Sequence, residues 1–209
     1  IVLGHPSNIQ SQINSISTRL KNDQHIEIVN QDDDPRYKDY WQYYYDKNKR
    51  KGVSIELARR DVRRKTTLIG SLLVEKGDAD GMICGTFSYY NLHLNYVEKV
   101  IDKLEGVDNF YSMNAVLMQN RNLFIADTYI HEDPTAEQLA EMTVLAVAQM
   151  RRFGITPRVA LLSHSNFGTS NRDSAVKMRK VYELLTDMNV DFEFDGEMHG
   201  DAALKKKKK

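Results

Sequence analysis

Cysteine is almost missing from this chain of 209 residues. Cys84 stands alone, so no internal disulfide can form, which fits a reducing, cytoplasmic setting. No apolar run approaches the roughly 20 residues that cross a bilayer, so no membrane partner is expected. The opening Ile1-Val2-Leu3-Gly4-His5-Pro6 is too short for a signal peptide and lacks its basic flank. There is no internal repeat, and the six histidines show no metal-ligand spacing. Net charge is missing too, with 29 basic against 29 acidic residues. That balance is deceptive. Residues 205–209 are five consecutive lysines unlike anything before them, and they read as an appended tail or placeholder. Setting those five aside leaves 24 basic against 29 acidic residues, a net of −5. A mildly acidic domain is a poor nucleic-acid binder, because such binding relies on clustered Lys and Arg against phosphate.

What is present is an ordinary globular composition, 41% apolar and 28% charged, with length for one large domain or two of roughly 100 residues. Helical and strand patterns alternate. Residues 7–20 carry Ile9, Ile13, Ile16 and Leu20 on one stripe of an amphipathic helix. A short strand is expected over 25–30. An aromatic-rich helix follows over 37–47, whose Tyr40, Trp41, Tyr43, Tyr44 and Tyr45 read as core or subunit interface rather than a ligand platform. Ser54 caps a helix over 55–64, and another helix spans 66–75. The apolar run Met82-Ile83-Cys84 reads as a buried strand, with Cys84 a small buried hydrophobe rather than a nucleophile. A helix over 91–104 leads to a change of pattern near Glu105, the expected domain boundary.

Beyond it, 111–118 and 123–127 form a hairpin around a turn at 119–122. Thr135 and Gln138 make a capping box for the strongest helix, whose inner face is Leu139, Met142, Ala146, Val147 and Met150. A strand over 158–162, a helix over 172–188 and a strand over 190–194 follow. Strands alternating with helices predict a mostly parallel sheet with helices on both faces. Both ends read as cut: 1–3 looks like a strand with nothing before it, and 201–204 starts a helix that does not finish.

The stretch richest in potential chemistry is Ser163-His164-Ser165-Asn166-Phe167-Gly168-Thr169-Ser170, where a strand runs into hydroxyl and amide residues before a helix. In open α/β sheets ligands sit beyond the carboxyl ends of strands, where helix N-termini aim backbone N–H groups at them. The plainer alternative is a connection whose Ser and Asn residues satisfy local backbone groups. Gly85-Thr86-Phe87 ends the earlier apolar run with the same logic. Neither stretch is a Walker motif, since the Gly-Lys-Ser/Thr ending is missing. Asp195, Glu197, His199 and Asp201 form an acidic group able to bind a cation, but solvated turn residues at a strand end account for it better.

Taken in order, the phrases at 33–41, Lys51-Gly52-Val53, 79–87, 123–128, 134–140, 158–168 and Asp195-Gly196-Glu197-Met198 resemble one family. They are similar to the phosphotransacetylase-like (phosphate acetyl/butyryltransferase) domain fused behind the catalytic part of bacterial NADP-dependent malic enzymes. The Ser-His-Ser-Asn-Phe-Gly phrase, where phosphotransacetylases carry Ser-x-Ser-Thr-Lys-Gly-Ser, points to the malic-enzyme branch. The resemblance covers 1–204. It implies an α/β fold, a three-layer α/β/α sandwich with mostly parallel sheet. Two subdomains, 1–105 and 106–204, would flank a cleft for acetyl-CoA, and the first would be incomplete. It further implies a homodimer or higher homo-oligomer. NADP and a divalent metal would belong to the malic-enzyme catalytic domain of the same polypeptide. The ligand contacts so implied are Gly85, Thr86, Phe87, Asn95, Ser163, Ser165, Asn166, Gly168, Thr169 and Ser170. No catalytic residue is expected: two arginines of the active family fall at Asn48 and Asn95, and the family's base lies in a stretch that this chain does not contain. Arg50 lies near the first position. The expected role is a regulatory acetyl-CoA module. The alternatives are a working phosphate acetyltransferase and a purely structural oligomerisation domain.

Overall fold

The computed structural model describes residues 1–16, 26–85, 87–119 and 121–204. The chain divides into two compact units, Ile1–Gly106 and Val107–Lys209. The five lysines lie outside the described residues, as do the end of the first expected helix and part of the 119–122 turn.

In the first unit β1 (Val2–Leu3) pairs in parallel with β2 (Ile28–Val29), and α1 (Pro6–Ile16) connects towards it. Then come α2 (Tyr37–Asn48), a short 3-10 turn at Lys49–Lys51, α3 (Ile55–Arg64), α4 (Thr66–Glu75) and α5 (Tyr90–Glu98). Ser54 caps α3 by accepting the Leu57 N–H, as its position predicts. The core of this unit is aromatic and aliphatic together. Tyr40, Trp41 and Tyr44 of α2 pack with Leu68, Ile69 and Leu72 of α4 and with Tyr96 and Val100. Leu68 and Leu72 are fully buried, each stabilising the fold by about 1.5–3 kcal/mol over an exposed state.

Two expectations fail in this unit. Residues 82–84 form no strand: Ile83 is fully exposed and Cys84 is exposed. Among the described residues no neighbouring strand takes their backbone groups, so extended chain is left at the surface. Only Met82 turns inward, and Gly70 makes room for it. A Cβ on Gly70 would stand 2.4 Å from the Met82 sulfur. The helix expected over 91–104 stops at Glu98. The reason lies in α2, whose Asn48 Nδ2 donates to the Lys99 carbonyl at 2.8 Å and whose Lys47 ammonium donates to the Val100 carbonyl. Carbonyls that a longer helix would use are taken by side chains.

In the second unit β3 (Met113–Met118) and β4 (Arg121–Ala126) make the expected antiparallel hairpin, Met113 opposite Ala126. The capping box at Thr135 forms in full and opens α6 (Ala136–Arg152). Then β5 (Arg158–Leu162), α7 (Asp173–Asp187), β6 (Glu193–Met198) and α8 (Gly200–Leu204) follow. β5 and β6 pair in parallel, with α7 as their crossover. Leu139, Ala140, Leu161, Val181 and Leu185 form the core between them.

The last strand sits further along than 190–194. Arg158 meets Glu193 across the pair at 2.6 Å, which starts the register there, and the ladder runs on to Leu162 opposite Met198. Asp-Gly-Glu reads like a turn by composition but lies inside the strand. Gly196 is required there, since it sits at φ +141° and a Cβ would meet the Leu161 carbonyl at 2.6 Å. The class is thus the expected mixed α/β, with parallel pairs carrying helices. Each sheet has two strands among the described residues. No helix among them is long and apolar enough to cross a membrane.

Candidate functional site

The loop at 163–170 leaves the carboxyl end of β5 and enters α7, and its shape is set by a carboxylate from the neighbouring strand. Glu197 of β6 is 0% exposed. Its Oε1 accepts the Ser165 hydroxyl at 2.9 Å and the Gly168 N–H at 2.7 Å, while its own carbonyl accepts the Phe167 N–H at 2.8 Å. The Arg179 guanidinium of α7 approaches the same Oε1 at 3.2 Å and donates to the Ser170 carbonyl at 2.9 Å. Burial alone would raise the Glu197 pKa, but the Gly168 N–H, the Ser165 hydroxyl and Arg179 together hold it below the usual carboxylate range. Its Oε2 has no hydrogen-bond partner among the described residues.

The loop's own residues complete the shape. The Ser163 oxygen accepts the Ser165 N–H at 2.8 Å, and the Ser165 oxygen accepts the Ser170 N–H at 3.1 Å. Thr169 Oγ1 accepts the Asn166 N–H at 3.1 Å, and Asn166 Oδ1 accepts the His199 N–H at 2.8 Å. Gly168 turns the chain at φ +85°. Two residues named from sequence, Ser165 and Thr169, are therefore committed to the loop itself. Ser165 is buried and cannot meet a ligand without rearrangement. Gly168 and Thr169 are exposed and Ser163, Asn166 and Ser170 are half-buried, so the loop still presents backbone, the Asn166 NH2 group and hydroxyls to solvent. His164 is exposed, with its ring nitrogens 3.1 Å from the Ser170 and Ser174 hydroxyls.

The acidic group expected as solvated turn residues is something else. Glu197 is the buried clamp just described, Asp195 accepts the Gly196 N–H, and His199 Nε2–H donates to the His164 carbonyl at 2.6 Å. Among the described residues no three His, Cys, Asp or Glu side chains gather as a metal site. Sequence reasoning missed Glu197 and Arg179. The only available signal was a Glu three residues beyond Phe194 in a β-type run, and composition argued for a turn there.

The other expected contacts lie in the first unit. Gly85 is exposed at φ +125°, and Phe87 is 82% exposed. Both line a cavity of about 690 Å³ with Thr66, Thr67, Ile83, Cys84 and His93 among others. His93 braces this rim: Thr67 Oγ1 lies 2.7 Å from its Nδ1, and its Nε2–H donates to the Phe87 carbonyl at 2.7 Å. Thr86 lies outside the described residues. Asn95 is exposed on α5 and is not part of the cavity lining. Asn48 is 1% exposed, with Nδ2 donating to the Tyr44 and Lys99 carbonyls, so its role is to tie α2 to the end of α5. In the 163–170 loop the exposed His164 ring stands 3.1 Å from the Ser170 and Ser174 hydroxyls, and with a hydroxyl at each ring nitrogen no carboxylate among the described residues orients it as a base. Both loops suit binding better than bond-making.

The family sequence model for phosphate acetyl/butaryl transferase matches residues 1–209. This chain belongs to that family. It is 49% identical over 204 residues to the NADP-dependent malic enzyme of Salmonella typhimurium (strain LT2), covering 98% of this chain and 27% of that protein. The Escherichia coli (strain K12) NADP-dependent malic enzyme is 47% identical over the same span. A phosphate acetyltransferase of Nitratidesulfovibrio vulgaris is 29% identical over 204 residues, 28% of its length. A phosphotransacetylase from Streptococcus pyogenes superposes with TM-score 0.79 at 26% identity, covering 98% of this chain and 61% of that one. EutD phosphotransacetylase from Staphylococcus aureus superposes equally well at 24% identity and shares the fold. The chain spans about a quarter of the length of the malic enzymes it matches. The resemblance read from the ordered phrases, to the phosphotransacetylase-like part of malic enzymes, is borne out.

Proposed function

We propose that this chain binds acetyl-CoA without turning it over and reports its occupancy to a malic-enzyme catalytic domain of the same polypeptide. That domain would supply the NADP and divalent-metal chemistry of oxidative malate decarboxylation. The observation that carries the reading is Asn48. The position where the resemblance implies an arginine is a buried, uncharged amide bonded to two backbone carbonyls, so no cation is offered there. Asn95, the second such position, is an uncharged side chain on the α5 surface. Acyl-phosphate chemistry needs cations to hold the phosphate and stabilise developing charge.

The residues present fit a ligand of this kind. Gly168 and Thr169 offer exposed backbone beyond a parallel strand, with the Asn166 amide and the Ser163 and Ser170 hydroxyls beside them. Within the first unit, Gly85 and Phe87 line a separate cavity. For occupancy to be signalled, acetyl-CoA must favour one arrangement of the protein over another. A cytoplasmic homo-oligomer is the setting in which this would operate. Calorimetric titration of the chain with acetyl-CoA tests the reading, and heat-silent mixing would remove it. Asn166→Ala is expected to weaken that binding.

One observation favours a working acetyltransferase instead. Arg50 is exposed on the turn immediately after α2, beside Asn48. Acetyl-phosphate-dependent formation of acetyl-CoA, assayed on the full-length protein, separates the two; robust turnover would establish the transferase.

A further inference from the structure

A surface cavity of about 580 Å³ beside α2 and α3 is lined by Tyr37, Lys38, Trp41, Arg59, Arg60 and Arg63. Four of these six are cations, and no carboxylate lines it. Arg59 and Arg60 lie four and three residues before Arg63, so α3 presents all three from one side. Like charges at that spacing repel, so the cluster opposes folding unless something else compensates. Part of the compensation is visible. The Arg59 guanidinium lies 4.4 Å from the Trp41 ring centre, and that of Arg63 lies 4.5 Å from the Tyr37 ring centre. The Tyr37 hydroxyl donates to the Arg59 carbonyl at 2.8 Å. Stacking fixes each guanidinium plane and leaves its N–H edge free to bind.

The charge is answered only in part, by Glu56 on α3, whose carboxylate feels the Arg59 charge. Among the described residues Lys38, Arg59 and Arg63 have no carboxylate within ion-pair distance, and Arg60 has only Asp61, at 3.5 Å. Arg36, Arg151, Arg158 and Arg179 each meet a carboxylate while several other exposed arginines do not, so what sets this place apart is four cations around one cavity. A concentration of four cations with only Glu56 and Asp61 near them, in a chain that is net acidic without its lysine tail, marks a site for an anion.

We infer that this cavity binds the phosphate groups of a small phosphorylated ligand of the pyrophosphate type. Several guanidinium forks and an ammonium converge there. A pyrophosphate group carries enough peripheral oxygens to accept from all of them, whereas a single carboxylate has two. The cavity shares no lining residue with the contacts named for acyl-CoA, Asn166 and the 163–170 loop or Gly85 and Phe87.

Trp41 is the sole tryptophan and lies beneath Arg59, so its fluorescence reports on the site directly. The chain is titrated with sodium pyrophosphate and, separately, with ADP, against sulfate and citrate at matched ionic strength. A saturable Trp41 response to pyrophosphate or ADP is expected, the tighter of the two naming the free or nucleotide-borne source. The double variant Arg60→Glu with Arg63→Glu is expected to weaken it at least tenfold with the native circular dichroism spectrum retained. Lys38→Ala, on an exposed side chain, is expected to weaken it about threefold and serves if the double variant does not fold. A response to citrate or sulfate equal to that for pyrophosphate overturns the site, as does unchanged affinity in the variants. Loss of acetyl-CoA binding in Asn166→Ala, with the pyrophosphate response intact, leaves this site standing.

Discussion

The segments at 81–87 and 161–168 look alike as sequence: an apolar run, a glycine, hydroxyl residues, then a helix. They differ completely as structure. The second is held from all sides, with β6 paired alongside and Glu197 gathering the Ser165 hydroxyl, the Gly168 N–H and Arg179. The first has no strand partner among the described residues, exposes Ile83, Cys84 and Phe87, and is braced mainly through His93. A loop acquires a fixed shape when a neighbouring strand brings polar groups to its backbone, and an apolar run does not guarantee such a neighbour.

The sharpest break of this contrast is Glu197→Ala. It strips the loop of its clamp and leaves Arg179 facing a void, costing about 3 kcal/mol, read as a lower urea midpoint. Gly196→Ala comes next. Its Cβ would meet the Leu161 carbonyl at 2.6 Å from a backbone that side chains rarely adopt, and the loss is about 2–3 kcal/mol. Because the Glu197 pKa is depressed in the fold, its contribution is fully present above the unfolded carboxylate pKa and is lost as pH falls through the lower folded value. Glu197→Gln should therefore flatten the acid limb of a stability–pH profile. An unchanged acid limb would mean the carboxylate is not the clamp.

Asn166→Ala removes the loop's bond to the His199 N–H and Thr169→Ala removes one within the loop, so each costs about 1 kcal/mol besides any effect on ligand. From sequence these two substitutions would have been expected to leave stability unchanged. At the other segment, Ile83→Ser should shift stability by less than about 0.5 kcal/mol, the range for surface changes. Cys84 should react with a thiol reagent in the native protein as fast as in the unfolded one. A protected Cys84 would erase the contrast.

Much of the fold was legible beforehand because its signals are local. Ser54 and Thr135 announce helix starts through hydrogen bonds spanning three residues, and the stripe on α6 needs only the helical period. The candidate loop was legible as a place and not as a mechanism. Ser165 looked like a ligand contact and is a buried strut, and Asn48, placed only by resemblance, proved to be a helix tether. The end of α5 could not be read locally, because the groups that stop it, Lys47 and Asn48, lie some fifty residues away.

The capping sites, most of the order of elements and the family were determined by the amino-acid sequence alone, since each depends on neighbours along the chain or on a run of shared phrases. Which residues are struts and which face solvent was decided only in three dimensions. Burial of Glu197, exposure of Cys84 and the meeting of Lys38 with three arginines all depend on segments distant in sequence. Desolvation and charge pairing act between whatever those segments bring together.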